Sequence, residues 1–286
     1  MPELPEVETM RRGVLGVVGA RIEDAVRPPS PYRAIAFRPR FSTLRRRLVG
    51  RRITAVDRAG KRVVLVCDNQ LRLVIEPRMT GLVLVAEPPD VEHLRLRLEL
   101  QDAECEQLLF WDRRGLGTVS LFDPTEFDRR LGPEKLGPDA LTVSADELRN
   151  RFRTSRRAIK VGLLDQAALA GIGNLYASEI LHVAAIDPRR RANTLRIYEW
   201  QRLAEAIDHV LEEAIRYEGS TLGDGTYRNA LNQAGSYQNH HRVYDRAGEP
   251  CWTCRQANVR RIVQAQRSTF LCPTCQPRRP VRVVPK

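Results

Sequence analysis

Nowhere in the 286 residues is there a run approaching the roughly 18 uninterrupted apolar residues of a membrane span. The opening MPELPEVE is acidic where a secretory signal would be basic. These absences lead to the expectation of a soluble cytoplasmic protein that does not engage membranes. Internal repeats and low-complexity tracts are missing too, which excludes solenoid and linker-like chains. Lysine is scarce: of 47 basic residues only Lys61, Lys135, Lys160 and Lys286 are lysines. Positive charge is otherwise written as arginine, so a retained lysine is mildly informative, because lysine can lose its proton in proton-transfer chemistry.

What is present is a hydrophobic content of 42%, enough for two domains plus a small module. The formal charge is +12 and the pI near 10.0. Such a charge suits a polyanionic partner, nucleic acid first among them, although basic chains with no such partner are common.

In LPEVETMRRGVLGVV, Val7, Met10, Val14 and Val17/Val18 fall on one helical face, with Pro5 suited to a first turn. From about 21 to 121, β-branched alternating runs (RRITAVD, RVVLVC, LRLVIE, LRLRLEL, GTVSLF) are divided by AGK, DNQ, EPPD and RRG turns. That pattern predicts an antiparallel sandwich or barrel. Two Gly-Pro pairs in LGPEKLGPD mark a linker. Helical periodicity follows in ADELRNRF, AIKVGLLDQAAL, NLYASEILHVAAI and EWQRLAEAIDHVLEEAIRY. GIGN breaks the middle pair, with Gly171 or Gly173 in a left-handed turn and Asn174 as the next cap. Residues 219–242 are polar and Gly-rich, the composition of a mobile or ligand-ordered loop. The organisation expected is a β-sandwich domain over 1–131 and a linker over 132–140. A helix-two-turn-helix domain with the polar loop then covers 141–242, a zinc finger 243–278 and a tail 279–286. The fold class is α+β and multi-domain.

Cys67 and Cys105 stand alone in strand-like runs and read as buried thiols. Cys251, Cys254, Cys272 and Cys275 form two CxxC knuckles separated by 17 residues, the spacing that gives four thiolates to one tetrahedral zinc. Two disulfides are the alternative, disfavoured in a reducing compartment. The intervening residues alternate like a hairpin with Arg267 at or near its tip. Four cysteines leave no open position, so the zinc is structural, contributing on the order of 10 kcal/mol to a module too small for its own core.

At the other end, removal of Met1 would leave Pro2 as a secondary amine. Such an amine can attack a sugar carbon and collapse to an iminium. An α-amino pKa of about 8 leaves a useful fraction unprotonated at neutral pH. Glu3 and Glu6 offer carboxyl groups for proton transfer beside it. Taken alone, Pro-Glu after Met is commonplace.

The whole phrase PELPEVET resembles the opening of the formamidopyrimidine-DNA glycosylase and endonuclease VIII family. AGK (59–61), RMTG (78–81), DRRGLG (112–117), LGPE, LLDQ, GIGNLYASEI, VYDRAGEPC and the cysteine module follow in the family's order along nearly the entire chain. The resemblance implies that Pro2 is the nucleophile and that Glu3 protonates the deoxyribose ring oxygen. Lys61 then assists phosphate binding and β-elimination, and Arg267 grips the lesion phosphates and supports δ-elimination. Asn174 matches a phosphate-contacting asparagine. Met79, Arg114 and Leu116 match residues that fill the void of an everted base, with Arg114 facing the orphaned base. Glu6, His93 and Arg156 match DNA-contacting positions. Structural alternatives stand beside these: Lys61 as a solvated turn lysine, Arg267 as a generic basic finger residue, Asn174 as a helix cap, Met79 in core packing, and Glu6 as a carboxylate capping backbone amides.

Departures from the formamidopyrimidine branch fall at 115, at 116 and in the loop after STL. Leucine stands at 116 in place of a phenylalanine wedge, and glycine at 115 in place of an arginine. The loop after STL reads GDGTYRNAL. The resulting expectation is a monomeric bifunctional glycosylase and abasic-site lyase of base excision repair, in the bacterial cytosol and nucleoid. It would remove oxidised purines (8-oxoguanine, formamidopyrimidines) from damaged double-stranded DNA lying in a basic cleft, with one structural Zn2+. The alternatives are an endonuclease VIII-like glycosylase for oxidised pyrimidines and a non-catalytic DNA-damage binder.

Overall fold

A computed structural model describes residues 2–223 and 225–278. Met1, Lys286 and the expected tail at 279–286 lie outside them. By contacts the chain groups into two units, Met1–Lys135 with Ala214–Gln238, and Leu136–Glu213 with Asn239–Lys286. Residues 214–238, within the stretch that the sequence places in the helical domain, thus pack with the first unit.

The first unit opens with α1 (Leu4–Gly13), with Pro5 in its first turn, where a missing N–H costs nothing. Val7, Met10, Val14 and Val17 are fully buried in the core as the periodicity predicts, while Val18 is exposed. The strands are β1 (Arg21–Val26), β2 (Ala36–Arg38), β3 (Ile53–Arg58), β4 (Val63–Cys67), β5 (Arg72–Glu76), β6 (Gly81–Leu84), β7 (Leu94–Gln101), β8 (Gln107–Asp112) and β9 (Thr118–Phe122). They form two sheets, β1-β7-β8-β6 and β2-β9-β5-β4-β3, whose inward Leu, Val and Ile residues share one core with α1.

All pairings in this unit are antiparallel except β2 with β9, which is parallel. No tight turn joins those two strands, so nothing local dictates their direction. Inside the stretch read as strands lies a helix, α2 (Phe41–Leu48), followed much later by α3 (Pro124–Leu131). In α2 only Leu44 and Leu48 are buried, and its RRR run hides the period.

The second unit contains α4 (Ala145–Phe152), α5 (Ile159–Leu163), α6 (Asn174–Val183) and most of α7 (Ile197–Arg216). Ser144 and Glu147 form a capping box at α4. Phe152 stacks on Trp200 with centroids 6.2 Å apart. The helix expected over AIKVGLLDQAAL stops at Leu163, because Gln166 ties the following turn. Its Nε2 donates to Leu164 O at 3.1 Å and Ile172 O at 2.8 Å, and its Oε1 accepts from Gly171 N at 3.0 Å. Gly171 takes the left-handed conformation (φ +107°). The cap of α6 is Gly173, and Asn174 is the first helical residue, which frees its side chain for other work. A hairpin, β10 (Arg260–Gln264) and β11 (Arg267–Leu271), carries the cysteine module.

Candidate active site and metal centre

Pro2 and Glu3 are both buried where the chain enters α1. The Glu3 N–H donates to Glu6 Oε2 at 2.8 Å, and Ser220 N–H donates to Glu6 Oε1 at 2.9 Å. The Glu6 carboxylate therefore joins the start of α1 to the 214–238 segment by accepting backbone amides. Gly219, at φ +78°, makes this approach possible, since a Cβ there would lie 2.9 Å from Glu6 Cγ and Oε1. Tyr227 is buried beside it, its hydroxyl donating to Glu218 O at 3.0 Å. Burial, with Glu6 and Glu218 nearby, pushes that phenol well above its ordinary pKa.

Lys61 is half-buried in the four-residue turn between β3 and β4, where Ala59 N–H donates to Arg62 O at 3.0 Å and Gly60 has φ +58°. Arg58 braces this turn: its Nη1 donates to Gly60 O at 3.0 Å and its Nε to Glu8 Oε2 at 2.9 Å. Arg11 and Arg12 hold the same carboxylate at 2.9 and 2.8 Å. Burial alone would raise the Glu8 pKa, but the three guanidiniums outweigh it and hold it down at about 2. The lysine turn is thus fixed through Arg58 and Glu8 to α1, the helix that Glu3 caps.

Two further loops are joined by Asp112, which is fully buried. It accepts Thr80 Oγ1 at 2.5 Å and the Gly117 N–H at 2.7 Å, while Arg114 N–H donates to Thr80 Oγ1 at 3.0 Å. The backbones carrying Met79, Arg114 and Leu116 are thereby held together. Met79 is 38% exposed rather than packed in the core, Arg114 is exposed and Leu116 half-buried. His93 sits next to this hub. Its carbonyl accepts the Asp112 N–H at 2.9 Å, its Nδ1 meets Asp90 Oδ1 at 2.8 Å, and its ring stacks on Tyr32 at 4.2 Å.

In the second unit the Asn174 amide faces the hairpin. Its Nδ2 donates to Ser268 O at 2.9 Å, and its Oδ1 accepts Lys160 Nζ at 2.8 Å. Lys160, only 1% exposed, also donates to Ser268 O at 3.1 Å and Thr269 Oγ1 at 2.8 Å. Three donors of one ammonium thus join α5, the start of α6 and β11 immediately beside exposed Arg267. Arg267 pairs with Gln264 across a two-residue turn, Ala265 and Gln266, both at positive φ. Arg156 is exposed between α4 and α5. Lys160 has no role in the sequence reading, although lysine scarcity singled it out. Asp112 and Glu179 were invisible there, because a buried carboxylate and a surface one look alike in sequence. Glu179 accepts the backbone N–H groups of Arg242, Val243 and Tyr244 at 2.8, 2.9 and 2.7 Å.

The sulfurs of Cys251, Cys254, Cys272 and Cys275 all lie within 4.8 Å of one another. Cys251 and Cys275 are 3.8 Å apart and Cys254 and Cys272 are 3.6 Å apart. Four sulfurs about 2.3 Å from a tetrahedral zinc lie about 3.8 Å from each other, so the donor set fits that ion. Backbone amides, Gln256 first, hold the Cys254 thiol down to about 7, whereas burial and the neighbouring sulfurs push Cys275 up. Thiols this crowded ionise together only around a cation. The cluster is a closed structural zinc site.

A β-sandwich that displays a buried proline-glutamate pair, joined to a helix-two-turn-helix and a four-cysteine finger, defines a class of base-excising DNA lyases. Comparison with known proteins makes this specific. The formamidopyrimidine-DNA glycosylase N-terminal domain matches residues 1–119, the H2TH domain of the same enzymes residues 131–225, and the zinc finger found in FPG and IleRS residues 248–278. Formamidopyrimidine-DNA glycosylase of Chloroflexus aggregans is 42% identical over 283 residues, covering 96% of this chain and 98% of the relative. That of Thermomicrobium roseum is 40% identical, covering 97% and 99%. Among solved structures, MutM (FPG) from Thermus thermophilus is 36% identical with a TM-score of 0.82, covering 98% and 100%. A Lactococcus lactis FPG mutant in complex with Fapy-dG-containing DNA is 32% identical with a TM-score of 0.83, covering 96% and 100%. The chain belongs to the formamidopyrimidine-DNA glycosylase family.

Proposed function

We propose that the chain is a bifunctional DNA glycosylase and abasic-site lyase of base excision repair, acting as a monomer in the bacterial cytoplasm and nucleoid. Its substrates are oxidised purines, 8-oxoguanine and formamidopyrimidines, in duplex DNA. The observation that carries the reading is the buried Pro2-Glu3 pair at the start of α1, its backbone pinned by Glu6, in a chain of this family.

In this reading the base is everted at a cost of a few kcal/mol, offset by phosphate contacts and by Met79, Arg114 and Leu116 entering the void. The Pro2 amine, freed by removal of Met1, attacks C1′ of the sugar as the bond to the base breaks. Glu3 gives a proton to the ring oxygen, the ring opens, and an iminium forms. The iminium acidifies the C2′ proton, whose loss expels the 3′ phosphate, and a second elimination expels the 5′ phosphate. Lys61 and Arg267 stabilise the departing phosphates, and Asn174 and Arg156 hold the backbone without reading sequence. Glu6 supports the pair through backbone amides, and His93, beside the Asp112 hub, contacts the DNA. The zinc keeps the β10–β11 hairpin folded and has no part in the reaction.

The test is borohydride trapping on an abasic duplex followed by peptide mapping, with 8-oxoguanine, formamidopyrimidine and thymine glycol duplexes alongside. The expected adduct is on Pro2, with purine lesions excised faster than thymine glycol. An adduct confined to Lys61, or undiminished trapping by protein that retains Met1, would overturn the nucleophile. Preferred excision of thymine glycol would move the chain to the pyrimidine-directed branch.

A further inference from the structure

Helix α6 carries at its far end a histidine with no place in the reaction. His182 is 4% exposed, and its Nε2 lies 3.5 Å from Cys251 Sγ. Its Nδ1 is buried and has no hydrogen-bond partner among the described residues. Two of the other three knuckle sulfurs have backbone donors: Cys275 N–H reaches Cys272 Sγ at 3.4 Å, and the amides of Gln256 and Ala257 reach Cys254. Cys251 is fully buried and its own N–H is taken by Ala257 O at 2.9 Å.

We propose that His182 is a positioning residue of the zinc centre, donating its Nε2–H to the Cys251 thiolate and so tying α6, the helix that begins at Asn174, to the metal. The proposal rests on the zinc reading. The tautomer follows from the two ring nitrogens. A proton on Nδ1 would bury an N–H without an acceptor and turn the Nε2 lone pair onto a negatively charged sulfur. A proton on Nε2 leaves only a lone pair unmatched and gives the thiolate a donor. A hydrogen bond from outside the ligand set lowers the charge density on sulfur, fixes the Cys251 rotamer and slows ligand exchange. Glu179, one turn earlier on α6, holds the Arg242–Tyr244 backbone that leads into the first knuckle. Together they make α6 a strut with a phosphate-contacting residue at one end and a zinc thiolate at the other.

The experiment measures zinc release from the full chain to a chromogenic chelator for wild type, His182→Phe and His182→Gln, with nitrogen-detected NMR of the wild-type imidazole. Phenylalanine keeps the volume and removes the donor, whereas glutamine keeps an N–H. His182→Phe should release zinc about 10- to 100-fold faster, and His182→Gln should recover most of the difference. The NMR spectrum should place the proton on Nε2. A wild-type chain without zinc overturns the zinc reading and the proposal with it. With zinc present, an unchanged rate in His182→Phe, equal acceleration in both variants, or a proton on Nδ1 overturns the proposal alone. The NMR arm decides the matter even if His182→Phe does not fold.

Discussion

Replacing Lys160 by methionine would remove the one buried ammonium that holds Asn174 against the hairpin, while filling nearly the same space. Three hydrogen bonds are lost, at 2.8 Å to Asn174 Oδ1, 3.1 Å to Ser268 O and 2.8 Å to Thr269 Oγ1. Bonds of this charge-assisted kind contribute about 1.5–3 kcal/mol each. Ser268 O keeps the Asn174 Nδ2 donor at 2.9 Å and the Thr269 hydroxyl can turn, so the uncompensated loss centres on Asn174 Oδ1. Relief from burying an ammonium offsets part of it. The net expectation is a destabilisation of about 2–4 kcal/mol. Because Asn174 then turns freely, affinity for a phosphate at the start of α6 should fall about tenfold, or ~1.4 kcal/mol. The assays are denaturant unfolding and fluorescence anisotropy with a tetrahydrofuran abasic duplex at fixed salt. The decisive control is a double-mutant cycle with Asn174→Ala, in which Lys160→Met should add almost nothing to the loss of binding. Additive losses would mean that Lys160 acts on binding by another route. Wild-type affinity in Lys160→Met, whatever its stability, would refute the positioning argument.

Two other perturbations follow from the site. Glu8 has a folded pKa held at about 2 against an ordinary 4.5, so its stabilisation is present above about pH 4.5 and is lost as the pH falls toward 2. Glu8→Gln should lower the stability at pH 7 by about 3 kcal/mol and flatten the acid limb of an unfolding titration; an unchanged acid limb would count against the Arg58–Glu8 brace. Arg114→Ala should slow single-turnover excision of 8-oxoguanine opposite cytosine far more than cleavage of a pre-formed abasic site, since only the first needs a base displaced; equal losses on both would reduce Arg114 to a phosphate contact.

The parts of this chain legible in sequence are those whose signal is periodic or covalent. The α1 face, the strands from Ile53 to Phe122, α4 and α7 announce themselves by apolar spacing, and the four cysteines by their CxxC pairs. What was not legible depends on tertiary partners. α2 is an eight-residue helix with two buried leucines, too short to give a period. The parallel direction of β2 is a tertiary choice with no local code. AIKVGLLDQAAL reads as one helix because the Gln166 ties that end it after Leu163 are contacts, not propensities. The capping role expected for Asn174 fell to the backbone of Gly173, and the freed amide turned to Lys160 and Ser268. Lys160, Asp112 and His182 needed the fold to become visible, since each matters only through what it touches.

The glycine at 115 shows how one such contact sets the chemistry around it. Its φ is +60°, and a Cβ would come within 2.3 Å of the Arg33 carbonyl oxygen, so no other residue fits without moving the 33–34 backbone. An arginine at this position, as in much of the formamidopyrimidine branch, would require a different path for the loop. Here the turn is instead closed from within, Asp112 accepting the Gly117 N–H at 2.7 Å and the Arg114 N–H at 3.3 Å. The tight turn leaves Arg114 exposed and Leu116 half-buried, and Thr80 fixes Met79 in the adjacent loop through the same carboxylate. One buried aspartate therefore ties together the backbone segments that carry all three residues proposed for the void of an everted base. The bonds that close this turn run from backbone amides to Asp112 and do not involve the side chain at 116, so leucine can stand there in place of phenylalanine without rebuilding the loop.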